Sequence, residues 1–83
     1  MSTGRAVFVK REVMYSGIVI SFEYDDRGEL LLYMYGEVEG EERYFYVKPG
    51  SEEAENFLKL GVGQSIKGKG TVISKDPLIV SSY

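Results

Sequence analysis

The stretch Glu29-Leu30-Leu31-Leu32-Tyr33-Met34-Tyr35-Gly36-Glu37-Val38-Glu39-Gly40-Glu41-Glu42-Arg43-Tyr44-Phe45-Tyr46-Val47-Lys48 decides the fold of this 83-residue chain. It reads as a β-hairpin turning through Glu39-Gly40-Glu41. Side chains on a strand alternate between faces, so each arm sorts into two sets. Leu30, Leu32, Met34 and Val38 share one face of the first arm, and Leu31, Tyr33 and Tyr35 share the other. In the second arm Phe45 and Val47 share a face, opposite Tyr44, Tyr46 and Lys48. One side of the hairpin is aliphatic and ready for a core. The other is a plate of tyrosines, residues with an apolar body and a hydroxyl that meets water or a ligand.

Upstream, residues 1–5 read as a flexible N-terminus and residues 6–24 as β-rich. Ile18, Ile20, Phe22 and Tyr24 alternate, while Val7, Val9, Val13 and Tyr15 alternate in the opposite phase. Two readings fit. A bulge at Ser16-Gly17 would place both sets on the inner face of one sharply bent strand. Alternatively, two separate strands break near Lys10-Arg11-Glu12. Asp25-Asp26-Arg27-Gly28 is a turn by its residue types.

Downstream, Pro49-Gly50 ends the hairpin. The run Ser51-Glu52-Glu53-Ala54-Glu55-Asn56-Phe57-Leu58-Lys59-Leu60-Gly61 predicts a helix of about two to three turns. Ser51 suits its N-cap, Glu52 and Glu53 suit the positive end of its dipole, and Gly61 suits its C-terminal cap. Ala54, Phe57 and Leu58 form one apolar stripe. Residues 62–73 read as a strand with Val62, Ile66 and Val72 on one face, beside Gly68 and Gly70. Those glycines allow a tight bend or a close approach by another element. Ser74-Lys75-Asp76-Pro77 is a loop, and residues 78–83 are a last short strand.

The order is three strands, a helix and two strands in one domain spanning residues 6–83. It predicts an all-β protein with one short helix. The long first strand with Gly17, the hairpin of residues 30–48, the helix of residues 51–60 and the run Gly63-Gln64-Ser65-Ile66-Lys67-Gly68-Lys69-Gly70-Thr71-Val72 together resemble the OB-fold family. The resemblance is one of pattern and topology. It implies a five-stranded Greek-key barrel with its helix between strands 3 and 4. The pattern looks most like single-domain OB proteins of archaea and the small OB subunits of replication protein A type complexes. An SH3-like barrel is the competing fold, and it usually lacks a helix at this point.

Composition narrows the chemistry. A hydrophobic fraction of 43% is ordinary for a globular chain, which argues against disorder. The sequence holds no Cys and no His, so disulfides, thiolate metal sites and an imidazole base are excluded. One Asn and one Gln beside many Glu, Lys and Val match the composition of thermophile proteins. Asp25, Asp26 and Glu29 have the chemistry to hold a cation, but a solvated turn is the expected reading. Gly68-Lys69-Gly70 lacks the spacing of a phosphate loop. No catalytic residue, metal or cofactor is expected. The four-residue apolar run at residues 6–9 is too short for a signal peptide or a membrane span, and a cytoplasmic protein is expected.

A binding module is the better expectation. OB barrels take ligands across strands 2 and 3, flanked by the loops after strands 1 and 4. The resemblance therefore implies single-stranded DNA or RNA stacked on Tyr33, Tyr35, Tyr44 and Tyr46. Lys48, Arg27 and Lys75 would contact phosphates, and Tyr24 would border the groove. The net charge of −3 argues against coating nucleic acid by bulk charge. The charge is unevenly spread, and pairing of the first strand with the fourth would gather a second basic patch from Lys10, Arg11, Lys67 and Lys69. Lysines also blunt exposed sheet edges. The alternative stays open that the same tyrosines bind another protein, or a second copy of the chain, as structural OB subunits do.

Overall fold

The computed structural model describes residues 12–82. Five strands and one helix follow in order: β1 Glu12–Tyr24, β2 Leu30–Val38, β3 Glu41–Lys48, α1 Ser51–Leu60, β4 Ser65–Lys75 and β5 Leu78–Ser82. The sheet closes on itself in the order β1-β2-β3-β5-β4, with β4 returning to β1. Neighbours are antiparallel except β3 and β5, which run parallel. This is a closed barrel with a helix between its third and fourth strands, as the order of elements predicts, and it is compatible with an OB-like fold.

The hairpin parity holds throughout. Leu30, Leu32, Met34, Val38, Phe45 and Val47 all point into the core, where Tyr15, Val80 and Leu78 join them. The turn at its tip puts both Glu39 and Gly40 at positive φ, 55° and 83°. That twist matches the flanking strands, and Gly40 adopts it without a steric penalty. Tyr15 lies edge-on to Phe45, with ring centroids 6.1 Å apart, and its hydroxyl donates to Ser82 Oγ at 2.9 Å. Burial pushes the Tyr15 phenol up, and the Ser82 contact opposes that. Gly68 makes room for this ring, since a Cβ there would sit 3.0 Å from the Tyr15 hydroxyl.

The first strand departs from expectation. From Glu12 onward it is continuous, so no break follows that residue. The expected strand start, the break just before it, and Lys10 and Arg11 lie outside the described residues. Val13, Tyr15 and Val19 are buried in one unbroken alternation. The register shifts between Val19 and Ser21, at Ile20, rather than at Ser16-Gly17. Phe22 then packs against the core, while Ile18 and Ile20 point outward. Gly17 instead serves a close approach. It pairs directly with Gly36, and a Cβ on Gly17 would lie 2.5 Å from the Tyr35 carbonyl oxygen. A Cβ on Gly36 would collide with the Ser16 carbonyl in turn. The two paired strands approach most closely where neither carries a side chain.

The helix also differs in detail. Gly50 occupies the N-cap position and Ser51 is the first helical residue, with no side-chain cap. Gly61 closes the other end, donating its N–H to the Phe57 carbonyl at 3.1 Å. Ala54 and Phe57 rest against the core, but Leu58 is exposed and leaves the stripe incomplete. Val62 precedes β4 and faces solvent, because the chain turns there before the strand begins. No helix among the described residues is long and apolar enough to cross a membrane.

Candidate functional site

The outer face of β2 and β3 carries the four tyrosines in register, Tyr33 opposite Tyr46 and Tyr35 opposite Tyr44. Their rings touch as a continuous ladder. Tyr33 stacks on Tyr44 at 5.7 Å and 14°, Tyr33 tilts against Tyr46 at 5.0 Å, and Tyr35 tilts against Tyr44 at 4.7 Å. Tyr44 remains 58% exposed and Tyr35 38%, so the ladder is a surface and not a second core. Tyr33 and Tyr46 are half-buried.

The ladder extends onto β1. Ile18 pairs with Tyr35, and Ile20 bulges beside it; both are exposed. An apolar strip thus runs across three strands. Sequence reasoning missed these two isoleucines because an outward alternation of Ile looks like an inward one. The buried phase set by Val13 and Tyr15, carried through Gly17 to Val19, is the signal that could have found them.

Carboxylates hold the ends of the ladder. The Tyr46 hydroxyl donates to Glu23 Oε1 at 3.4 Å, and Ser21 Oγ donates to Glu23 Oε2 at 3.3 Å. Interaction with the Glu42 carboxylate is the main cause pushing the Tyr35 phenol up. Burial, then the charge of Glu23, raises the pKa of Tyr46. Glu42 stands directly opposite Glu37 across the strands.

The expected cations separate into two groups. Lys48 lies 2.5 Å from Glu29 and 3.5 Å from Asp25. Its charge is matched by the turn between β1 and β2, and its pKa is raised, first by the hydrogen bond to Glu29. Asp25 Oδ1 accepts the N–H groups of Arg27 and Glu29, each at 2.9 Å, so this carboxylate folds the turn. Asp25, Asp26 and Glu29 accordingly do not gather as a metal site, and no group of three acidic side chains does so among the described residues.

At the other edge, Lys75 meets the ladder. A groove of about 300 Å³ is lined by Tyr33, Tyr44, Tyr46, Arg43, Lys75 and Pro77, with Asp76 also at its wall. Arg43 and Lys75 are exposed, and neither makes an ion pair among the described residues. Arg43 was not a sequence candidate. Its parity is that of Phe45 and Val47, but it lies opposite Gly36 near the barrel's end and emerges beside Lys75.

The remaining candidates sit apart. Arg27 is exposed in the first turn. Tyr24 pairs with Leu30, whose side chain faces the core, so Tyr24 stands on the inner side at the barrel rim and does not border the ladder. Lys67 and Lys69 point outward on β4 opposite Ser16 and Met14 of β1, as the expected pairing of first and fourth strands requires. The cleft they line, about 510 Å³, also holds Glu37 and Glu39, so this side is mixed in charge.

No family model matches the chain, and neither a curated protein nor a solved structure gives a significant match to it. The barrel and its exposed tyrosine ladder are together compatible with OB-type binding.

Proposed function

We propose that this is an OB-type module that binds single-stranded nucleic acid and has no catalytic activity. The observation that carries this reading is the exposed ladder of Tyr33, Tyr35, Tyr44 and Tyr46 beside a groove whose two cations, Arg43 and Lys75, make no ion pair among the described residues. Every base has a π-face, and each base stacked on an aromatic ring contributes about 1–3 kcal/mol. Arg43 and Lys75 are suited to the phosphates along the β3 edge, with Arg27 as a further contact. Lys48 is withdrawn from that role by Asp25 and Glu29.

A protein partner is the second reading. Ile18 and Ile20 favour it, because they add exposed aliphatic surface to the tyrosines, and bases stack better on rings. An NMR titration of the labelled protein with short mixed-sequence DNA and RNA separates the two. Nucleic-acid binding shifts the tyrosine and Arg43 resonances. With up to three phosphate contacts it weakens with a log–log salt slope of about −2. Replacing Tyr35 and Tyr44 with Ala removes about 1–3 kcal/mol of binding per lost stack. Unshifted tyrosines at low salt, with the protein alone sedimenting as a dimer, would replace this reading with the second.

A further inference from the structure

We infer that the tyrosine ladder prefers bases carrying an amino group, cytosine, adenine and above all guanine, over uracil and thymine. The inference rests on the nucleic-acid reading and adds base preference to it.

Its basis is where the carboxylates stand. Cations lie along the β3 edge, at Arg43 and Lys75. Asp76 shares the cations' groove, while two carboxylates border the rings themselves, Glu23 across the ladder on β1 and Glu42 just before Arg43 toward the hairpin tip. A strand whose phosphates follow the cations directs its base edges toward the carboxylates. Glu23 is held in place by the Tyr46 and Ser21 hydroxyls, and Glu42 shares the outer face of β3 with Tyr44, opposite Glu37. An ionised carboxylate only accepts hydrogen bonds, and its two oxygens offer about four lone-pair positions. The tyrosine and serine hydroxyls leave some of these open.

The direct cross-strand pairing does not favour Glu42. Like charges directly opposite one another destabilise a sheet, and Glu42 faces Glu37. A carboxylate beside a stacking surface also repels phosphate, so it is useful there only if it receives a donor from the ligand. Cytosine N4 and adenine N6 supply such a donor. Guanine presents N1–H and N2–H side by side and engages both oxygens. Uracil and thymine place two carbonyl oxygens around a single N–H, and those oxygens are repelled.

The test compares short oligomers of cytidine, adenosine and uridine, and an oligothymidine with and without one central guanine, on the wild type and on Glu23→Gln/Glu42→Gln. Glutamine keeps the shape and can also donate to a carbonyl. Glu55→Gln, on the helix, removes a charge elsewhere. The wild type should favour cytidine and adenosine over uridine by on the order of tenfold, and the single guanine should tighten oligothymidine binding. The double variant should bring these ratios close to one, mainly by improving uridine and thymidine. Its melting temperature should not fall, because the Glu37–Glu42 opposition is relieved. A purely electrostatic role for the carboxylates raises affinity for every oligomer equally and leaves the ratios intact. That result, or a wild type that favours uridine or thymidine, overturns the inference while the nucleic-acid reading stands. Binding of no oligomer at low salt overturns both.

Discussion

The two faces of the β2–β3 hairpin are built from alternate residues of the same strands, and they do opposite things. Leu32, Met34 and Val47 expose none of their surface and Phe45 exposes 1%, whereas Tyr44 directly beside Phe45 exposes 58%. The inner set excludes water and holds the barrel closed. The outer set forms a continuous row of rings that the barrel does not need to cover. A one-residue slip in register would exchange the two sets, so the buried face also fixes the position of the tyrosines. Stability and binding should therefore respond to different substitutions in one hairpin.

The largest effect is expected on the inner face. Phe45→Ala removes a ring packed edge-on to Tyr15 and leaves a cavity at the centre of the barrel. It should destabilise the fold by about 3–5 kcal/mol, measured by chemical denaturation. A loss no larger than that of an exposed tyrosine would contradict the separation of faces. Next comes the close approach of β1 and β2 at Gly17 and Gly36. Gly17→Val drives a branched side chain toward the Tyr35 carbonyl oxygen, and the backbone there must move. A loss of about 1–3 kcal/mol is expected. Gly17→Ala should carry much of that penalty, because the Cβ alone makes the clash. An unchanged melt for the alanine variant would show that the strands separate easily at this point.

The outer face should respond less. Tyr35→Ala with Tyr44→Ala deletes two ring contacts, Tyr33–Tyr44 and Tyr35–Tyr44. Each cross-strand pair contributes roughly 0.2–1 kcal/mol. The double variant should thus fold nearly as well as the wild type. A melt as poor as that of Phe45→Ala would mean the ladder is structural.

The same two faces mark how far the sequence could be read. The inner face of residues 30–48 was legible because one side was aliphatic and the other aromatic, so parity alone assigned it. The order of elements followed from that hairpin and the single helix, and the closed barrel was implied by the resemblance of that order to OB-fold proteins. In β1 both faces carry apolar residues, and alternation could not distinguish Val13–Tyr15–Val19 from Ile18–Ile20. Gly17 attracted the bulge because glycine permits one, yet its use is to let Gly36 approach, which depends on a partner strand far along the chain. Ionic partners were the least legible. Lys48 and Lys75 look alike in sequence, but only the folded turn brings Asp25 and Glu29 to Lys48.

That difference between the two ends of the outer face leads to the smallest expected effect. Asp25 has its pKa lowered, first by the N–H of Glu29, then by the N–H of Arg27 and by Lys48, while partial desolvation opposes them. A carboxyl with a depressed folded pKa adds stability at pH values above its unfolded pKa, about 3.9. That contribution disappears as the pH falls through the lower, folded value. Asp25→Asn can still accept the two N–H groups but carries no charge. Its melting temperature should lie slightly below that of the wild type at neutral pH, and the gap should close in acid, below about pH 4. Lys48 behaves in the opposite sense. Its raised pKa adds stability below an unfolded value of about 10.4, and this is lost as the pH rises through the folded one. A Lys48→Met gap should close in alkali. If both gaps stay constant across these ranges, the ion pairs do not hold the turn and Lys48 is free to meet a ligand. If they close as expected, Lys48→Met should leave the salt slope of oligonucleotide binding unchanged, whereas Lys75→Met should reduce its magnitude by about 0.7.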